Sequence, residues 1–411
     1  MAMAYGFFYN RFTEFEYPGL KEKISVKIVV APDSFKGCCT AVEASRAIAQ
    51  GIATVFPQAG IVCLPAADGG EGTAEALLSA LGGVKKTANV TAPLGDPVAA
   101  AFAILPDGTA VIETASASGL PLVPREKLNP LLATSRGTGE LIRAALDEGC
   151  RKFLIGLGGS ATNDAGMGMA QALGVSFSDA AGRELGPGGA GLERLARIDA
   201  SRLDARLSQS RFTALCDVRN TLCGPDGASA VYGPQKGATP ETIARLDAAL
   251  YRFAQIARRD LGRDVLDVPG CGAAGGLGAA LVLFCGAQIH SGIDTVLDLI
   301  RFDAHMSGCD LVITGEGSID GQSAYGKVPA GVAQRAKRHG GIPVAAVVGA
   351  MRPGAEKVYK YGIDVIMPTA TGPMTLGESI ARAPELLSGA AERLMRAFRA
   401  AARFPSDVRR R

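Results

Sequence analysis

Five segments of the chain set glycines beside acids, amides, hydroxyls or lysine, and each follows an apolar run that reads as a buried strand. They are APDSFKG (31–37), ADGGEGT (67–73), GLGGSATNDAG (156–166), CDVRN with GPQKGA (216–220 and 233–238), and TGEGSIDGQSAYGK (314–327). Glycine lets backbone approach a ligand closely, and amides that open a helix bind phosphate. The loop groups of Gly158, Gly159, Ser160 and Thr162 could therefore hold phosphates, with Lys36 or Lys236 balancing their charge. Asp33, Lys36, Asp68 and Glu71 are the candidate catalytic residues. Ser34, Lys36 and Asp217 are candidates for holding a small acidic substrate. Asp68, Glu316 and Asp320 could bind a metal ion. Carboxylates gathered in one place repel unless a cation sits among them. Lys36 or Mg²⁺ is the natural partner, and Mg²⁺ suits carboxylates combined with phosphate oxygens. A plainer role exists for some of these residues: Asp33, Ser34, Thr73 and Thr162 are of types that cap helices.

Two further spacings compete. GQSAYGKV (321–328) has the G-x-x-x-x-G-K spacing of a P-loop, but position 328 is Val, so the hydroxyl that should hold Mg²⁺ is missing. The preceding strand is also expected to end at Thr314. GLGGSA (156–161) matches a dinucleotide-binding pattern, with Asp179 placed about 20 residues on as a ribose-binding acid would be. GCGAAG (270–275) matches too, yet no clear strand precedes it, and a helix start packed closely on its neighbour is expected there.

The elements that must position these loops alternate between short apolar runs and helical patterns, the signature of α/β proteins. Strands are expected at 26–32, 60–68, 152–159, 310–317, 343–349 and 362–368. Helices are expected at 41–55, 73–81, 239–260 (entered at Thr239-Pro240) and 376–402. Residues 90–135 contain an alternating stretch with an Asp107-Gly108 hairpin turn. The expected architecture is a discontinuous Rossmann-like parallel-sheet domain over 25–88 and 290–402, with a second α/β domain inserted at 89–289. Residues 1–24 form an N-terminal extension. Ligands in open α/β sheets bind at the carboxyl ends of the strands, so the acid-bearing loops at 33–36, 68–71 and 316–320 are expected on one edge of the first sheet, with the inserted domain closing a cleft.

Composition narrows the function. The net charge of +3 over 411 residues is too small to suggest nucleic acid. No apolar run is long enough to span a membrane, and the first residues lack the basic start and apolar centre of a signal peptide. Nine cysteines without paired spacing read as reduced thiols of a cytoplasmic protein.

DSFKG followed by ADGGEGT resembles the bacterial type I glycerate kinases. The resemblance continues in order through GLGGSATND, CDV-x-N, GPQKGA, GAAGGLG (272–278) and ITGEGSID-x-Q (313–322), spanning residues 26–400. It implies an enzyme that transfers the ATP γ-phosphate to D-glycerate, usually giving 2-phosphoglycerate, with Mg²⁺ required and the site in a cleft between two domains. Two departures stand out: Cys38-Cys39 where the family has Ser-Leu, and Ala165 where it has Gly. Phosphoryl transfer needs positioning, neutralised phosphate charge and an acceptor for the hydroxyl proton, and the loops supply each. The alternatives are an NAD-dependent hydroxy-acid dehydrogenase resting on GLGGSA, for which no histidine near a motif offers a proton, and a ligand-sensing module, for which no helix-turn-helix is apparent.

Overall fold

The computed structural model describes residues 26–401 apart from 322, 324 and 325. The proposed extension at 1–24 lies outside the described residues. The chain forms two compact units, one from residues up to Ala66 and from Arg301 onward, the other from Ala67–Ile300. Residues 67–88 and 290–300, assigned above to the first domain, thus belong to the second unit.

In chain order the strands are β1 (Lys27–Val30), β2 (Gly60–Cys63), β3 (Val84–Thr91), β4 (Pro97–Ile104), β5 (Thr109–Glu113), β6 (Lys152–Gly156), β7 (Ser176–Ser178), β8 (Arg197–Asp199), β9 (Arg211–Leu215), β10 (Gln288–His290), β11 (Leu311–Ile319), β12 (Val344–Met351) and β13 (Val365–Pro368). The first unit is a five-stranded sheet in the order β13-β12-β11-β1-β2, parallel throughout. Parallel strands need crossovers, usually helical. The helix Ala41–Val55 makes one, opened by a capping box in which Thr40 and Glu43 exchange bonds. That cap is Thr40, not Asp33 or Ser34. The helix packs on Ala383–Ala401 so closely that a Cβ at Gly51 would lie 2.0 Å from the Ser388 carbonyl oxygen. The C-terminal helical pattern expected at 376–402 is two helices, Leu376–Ala381 and Ala383–Ala401, parted at Arg382.

The second unit is a mixed six-stranded sheet, β10-β9-β6-β5-β4-β3. β5, β6, β9 and β10 run parallel, and β3 and β4 turn back antiparallel. The Asp107-Gly108 turn joins β4 to β5: Gly108 has φ +78°, and the Asp107 carboxylate accepts from the Thr109 amide and hydroxyl. At the centre Phe153 and Phe212, paired on β6 and β9, stack 4.4 Å apart. Burying two such rings is a large part of the core's apolar gain. The helix Pro240–Leu261 begins at Thr239-Pro240 as expected, with the Thr239 hydroxyl accepting from the Thr242 amide.

Candidate active site

The loop after β6 is the most constrained stretch of the second unit. Its strand ends in Gly156 because nothing larger fits: a Cβ there would lie 2.1 Å from the Gly69 carbonyl oxygen, and one at Gly158 would lie 2.7 Å from the Gly70 Cα. The ADGGEGT turn and the GLGGSA loop are therefore packed backbone to backbone. Downstream, the Ala165 amide donates to the Gly275 carbonyl, and a Cβ at Gly275 would lie 2.0 Å from the Thr162 carbonyl oxygen. Ala274, Gly275 and Gly276 are all left-handed at the start of the helix Ala273–Cys285. That is the close helix start expected of GCGAAG. Ala165, which replaces a family glycine, is also left-handed at φ +52°, so the loop path is kept despite its methyl group.

Two buried ionisable side chains hold this loop. Asp164, fully buried, accepts from the Ser135 amide and hydroxyl, both at 2.9 Å, and from the amides of Gly166 and Gly168. Burial pushes its carboxyl above the usual carboxylate range, and the donors oppose that shift. Lys236, 2% exposed, donates from Nζ to the Ser160 Oγ at 3.0 Å and to the Thr162 carbonyl at 2.7 Å. Burial lowers the Lys236 pKa to about 7, with Asp164 pulling it back up. Between these anchors, the amides of Gly158, Gly159 and Ser160 have no protein acceptor among the described residues. Consecutive unpaired amides form an anion-binding nest.

Lys236, Ser160, Gly158 and Gly159 line a cavity of about 170 Å³ together with Asp68 and Asp217. Thr162 does not line it. Its side chain is fully buried with an unpartnered hydroxyl, and its contribution is the carbonyl that Lys236 grips. Asp217 is saturated: it accepts from the Ser291 hydroxyl and from the amides of Gly292 and Ile293 at the start of the helix Gly292–Leu299. Burial, with the Asp68 charge adding, raises its pKa to about 7. Asp68 is half-buried and accepts only from the Gly70 amide among the described residues. Glu71 is exposed. Thr73 does not cap through its side chain; its hydroxyl donates to the Gly70 carbonyl. Asp179, the ribose-acid candidate, instead pairs with Arg183 at 2.9 Å and accepts from the amides of a tight turn.

The first unit brings a separate set together. The Asp33 amide donates to the Gly315 carbonyl at 2.8 Å, so the DSFKG and TGEGSID loops adjoin. Asp33 and Glu316 are buried, whereas Ser34 is half-buried and Lys36 exposed. Lys327 places its ammonium 3.6 Å from Glu316 and 4.0 Å from Asp320, a partner that the sequence reading did not name. β11 runs on to Ile319, past the Thr314 at which the strand was expected to end, and Lys327 sits immediately before the helix Val328–Lys337. Asp68 and Glu71 belong to the other unit. No group of three His, Cys, Asp or Glu side chains that could hold a metal forms among the described residues.

Sequence reasoning missed Ser135 and Glu113. Ser135 connects Asp164 to the start of the helix Arg136–Asp147 and takes the Met169 amide. Glu113 is half-buried at the end of β5 and accepts from the Ala74 amide in the first turn of the helix Thr73–Leu81. The glycine-rich TSRGTGE (134–140) was the available signal for the first; a lone strand-end Glu gives none.

A parallel α/β unit joined to a mixed-sheet unit, with a glycine loop presenting free amides beside a buried lysine and a hydroxyl, is an arrangement of the kind that phosphate-handling enzymes use. The family profile described as "Glycerate kinase family" matches residues 28–399, and the chain belongs to that family. It is 52% identical over 344 residues to a glycerate kinase of Haemophilus influenzae, covering 84% of this chain and 91% of the relative. It is 50% identical over 355 residues to a glycerate 2-kinase of Escherichia coli K12, covering 86% and 93%. A crystal structure of a protein assigned as glycerate kinase 2 from Salmonella typhimurium LT2 superposes with a TM-score of 0.80 at 48% identity, covering 93% of this chain and all of that one. Among the described residues no helix is long and apolar enough to cross a membrane.

Proposed function

We propose that the enzyme transfers the γ-phosphoryl group of ATP to the 2-hydroxyl of D-glycerate. The observation that carries this reading is the nest of free amides at Gly158, Gly159 and Ser160 beside the buried Lys236. A triphosphate needs amides, a hydroxyl and a cationic side chain around its oxygens, and the cavity offers the amides, the Ser160 hydroxyl and the Lys236 amine, which a bound phosphate would hold protonated, together with two carboxylates. Asp68 is the residue we assign as acceptor of the glycerate hydroxyl proton. Its carboxylate has one engaged oxygen, whereas Asp217 has three donors on it and serves to hold the helix Gly292–Leu299. In the cavity Asp68, with one oxygen engaged, would offer Mg²⁺ a carboxylate, and in the first unit Glu316 and Asp320 are candidate ligands by type. Mg²⁺ usually takes one or two carboxylates plus phosphate oxygens, so a cage of three protein acids is not required. When bound, it would neutralise phosphate charge. Asp33, Ser34 and Lys36 are proposed to hold the glycerate carboxylate and its hydroxyls, and Glu71 to assist at the ADGGEGT turn. The choice of the 2-hydroxyl rests on the family and on the Escherichia coli relative.

The test is ADP release on incubation with ATP, Mg²⁺ and D-glycerate. Release dependent on glycerate supports the reading. Hydroxypyruvate-dependent NADH oxidation without ADP release would put the dehydrogenase in its place.

A further inference from the structure

We propose that Lys236 is a proton-coupled positioning residue: a phosphate entering the cavity is met by a proton taken up on Nζ, and the resulting ammonium holds Ser160 toward it. This rests on the reading that the 158–160 nest binds nucleotide phosphate.

The geometry is unusual for a lysine. Nζ is buried, and both of its partners, the Ser160 hydroxyl and the Thr162 carbonyl, are neutral. A neutral amine has two hydrogens, which match these two acceptors, and a lone pair. The charged form has a third hydrogen, and Lys236 lines the cavity into which that hydrogen can point. Because the Ser160 oxygen accepts from Nζ and donates to no protein group among the described residues, its own hydrogen remains available for a phosphate oxygen. Lysine thus sets the direction in which Ser160 donates.

The ionisable groups facing Lys236 are few. From the 156–166 loop that it grips comes Asp164, buried and engaged by four donors. Across the cavity lie Asp68, Asp217 and Cys216, and Tyr232 comes from the helix Ala228–Tyr232. Burial pushes the Cys216 thiol up to about 11 and the Tyr232 hydroxyl up to about 12, so neither changes charge near neutrality; Asp217, raised to about 7, does, and the share of proton uptake that belongs to the lysine is the share lost in Lys236→Arg. Burial holds Lys236 itself down to about 7. Above that pH the free protein carries Lys236 neutral. An anionic phosphate favours the charged form and raises the lysine pKa, so binding draws a proton from solvent. By linkage, apparent nucleotide affinity then falls as pH rises above about 7, approaching tenfold per pH unit.

Isothermal titration of the full chain with the non-hydrolysable analogue AMP-PNP and Mg²⁺, at pH 8 in buffers of different ionisation enthalpy, counts the protons. The wild type should take up most of one proton per nucleotide. Lys236→Arg, which is charged throughout, should bind with the uptake cut to the small share that Asp217 can supply. Ser160→Ala should bind at least several-fold more weakly and keep the uptake. Nucleotide binding without proton uptake in the wild type, or uptake unchanged in Lys236→Arg, overturns the inference. Absence of any nucleotide binding by the wild type overturns the underlying reading instead. Should Lys236→Arg fail to fold, the wild-type proton count and the slope of affinity against pH decide alone.

Discussion

Asp164→Ala tests whether the 156–166 loop is held from within. Truncation would leave four donors without their acceptor: the amides of Ser135, Gly166 and Gly168, and the Ser135 hydroxyl. A buried donor left unsatisfied costs about 1–3 kcal/mol, and breaking a buried charged group's contacts costs about 3–5 kcal/mol in all. Partial relaxation of the loop argues for the lower end, about 3 kcal/mol. For a unit of this size each kcal/mol lowers the melting temperature by about 2–4 °C, so the drop should be about 6–12 °C by differential scanning calorimetry. Lys152→Ala is the control: it breaks an ion pair with Asp107 in which both side chains are more than half exposed, a type worth at most about 1 kcal/mol. A shift for Asp164→Ala no larger than that of the control would refute the view that this carboxylate anchors the loop.

Further substitutions separate folding from chemistry. Gly275→Ala places a methyl 2.0 Å from a backbone oxygen at φ +67°, and overpacking alone costs about 1–3 kcal/mol; a clear loss of thermal stability is expected, and an unchanged melting curve would contradict the close packing. Ala165→Gly relieves a left-handed conformation costing about 1–2 kcal/mol while removing a methyl worth about 0.8 kcal/mol; stability should stay within about 1 kcal/mol of wild type in urea unfolding. Asp68→Asn should lower kcat by about 10²–10⁴-fold, the usual contribution of a general base, with the melting temperature nearly unchanged because the group is half-buried with one bond. Near-normal turnover would remove Asp68 from the role of base.

Much of this was legible in the sequence, because strands and glycine loops leave strong local signals. The apolar runs gave β1, β6, β11, β12 and β13 within a few residues, and Asp107-Gly108 and Thr239-Pro240 marked turn and cap correctly. The domain boundary was misplaced because residues 67–72 follow a strand of the first sheet directly, yet their glycines pack on Gly156 and Gly158 of the second unit. Nothing local in ADGGEGT reveals that partner. The burial of Thr162 was illegible for a similar reason: its carbonyl is gripped by Lys236 from a distant segment. Lys36 or Mg²⁺ was expected to balance the acids of the first unit; that Lys327 also comes within 3.6 Å of Glu316 depends on the path of the chain after β11, which the sequence does not reveal.

The most direct test of the account is phosphorus NMR of the product formed from ATP, Mg²⁺ and D-glycerate. A phosphate on a carbon bearing one hydrogen gives a doublet, and one on a CH₂ gives a triplet. The account predicts ADP together with a single new doublet, that of 2-phosphoglycerate. A triplet from 3-phosphoglycerate would contradict the assigned hydroxyl, and no new phosphate ester at all would contradict the proposed reaction.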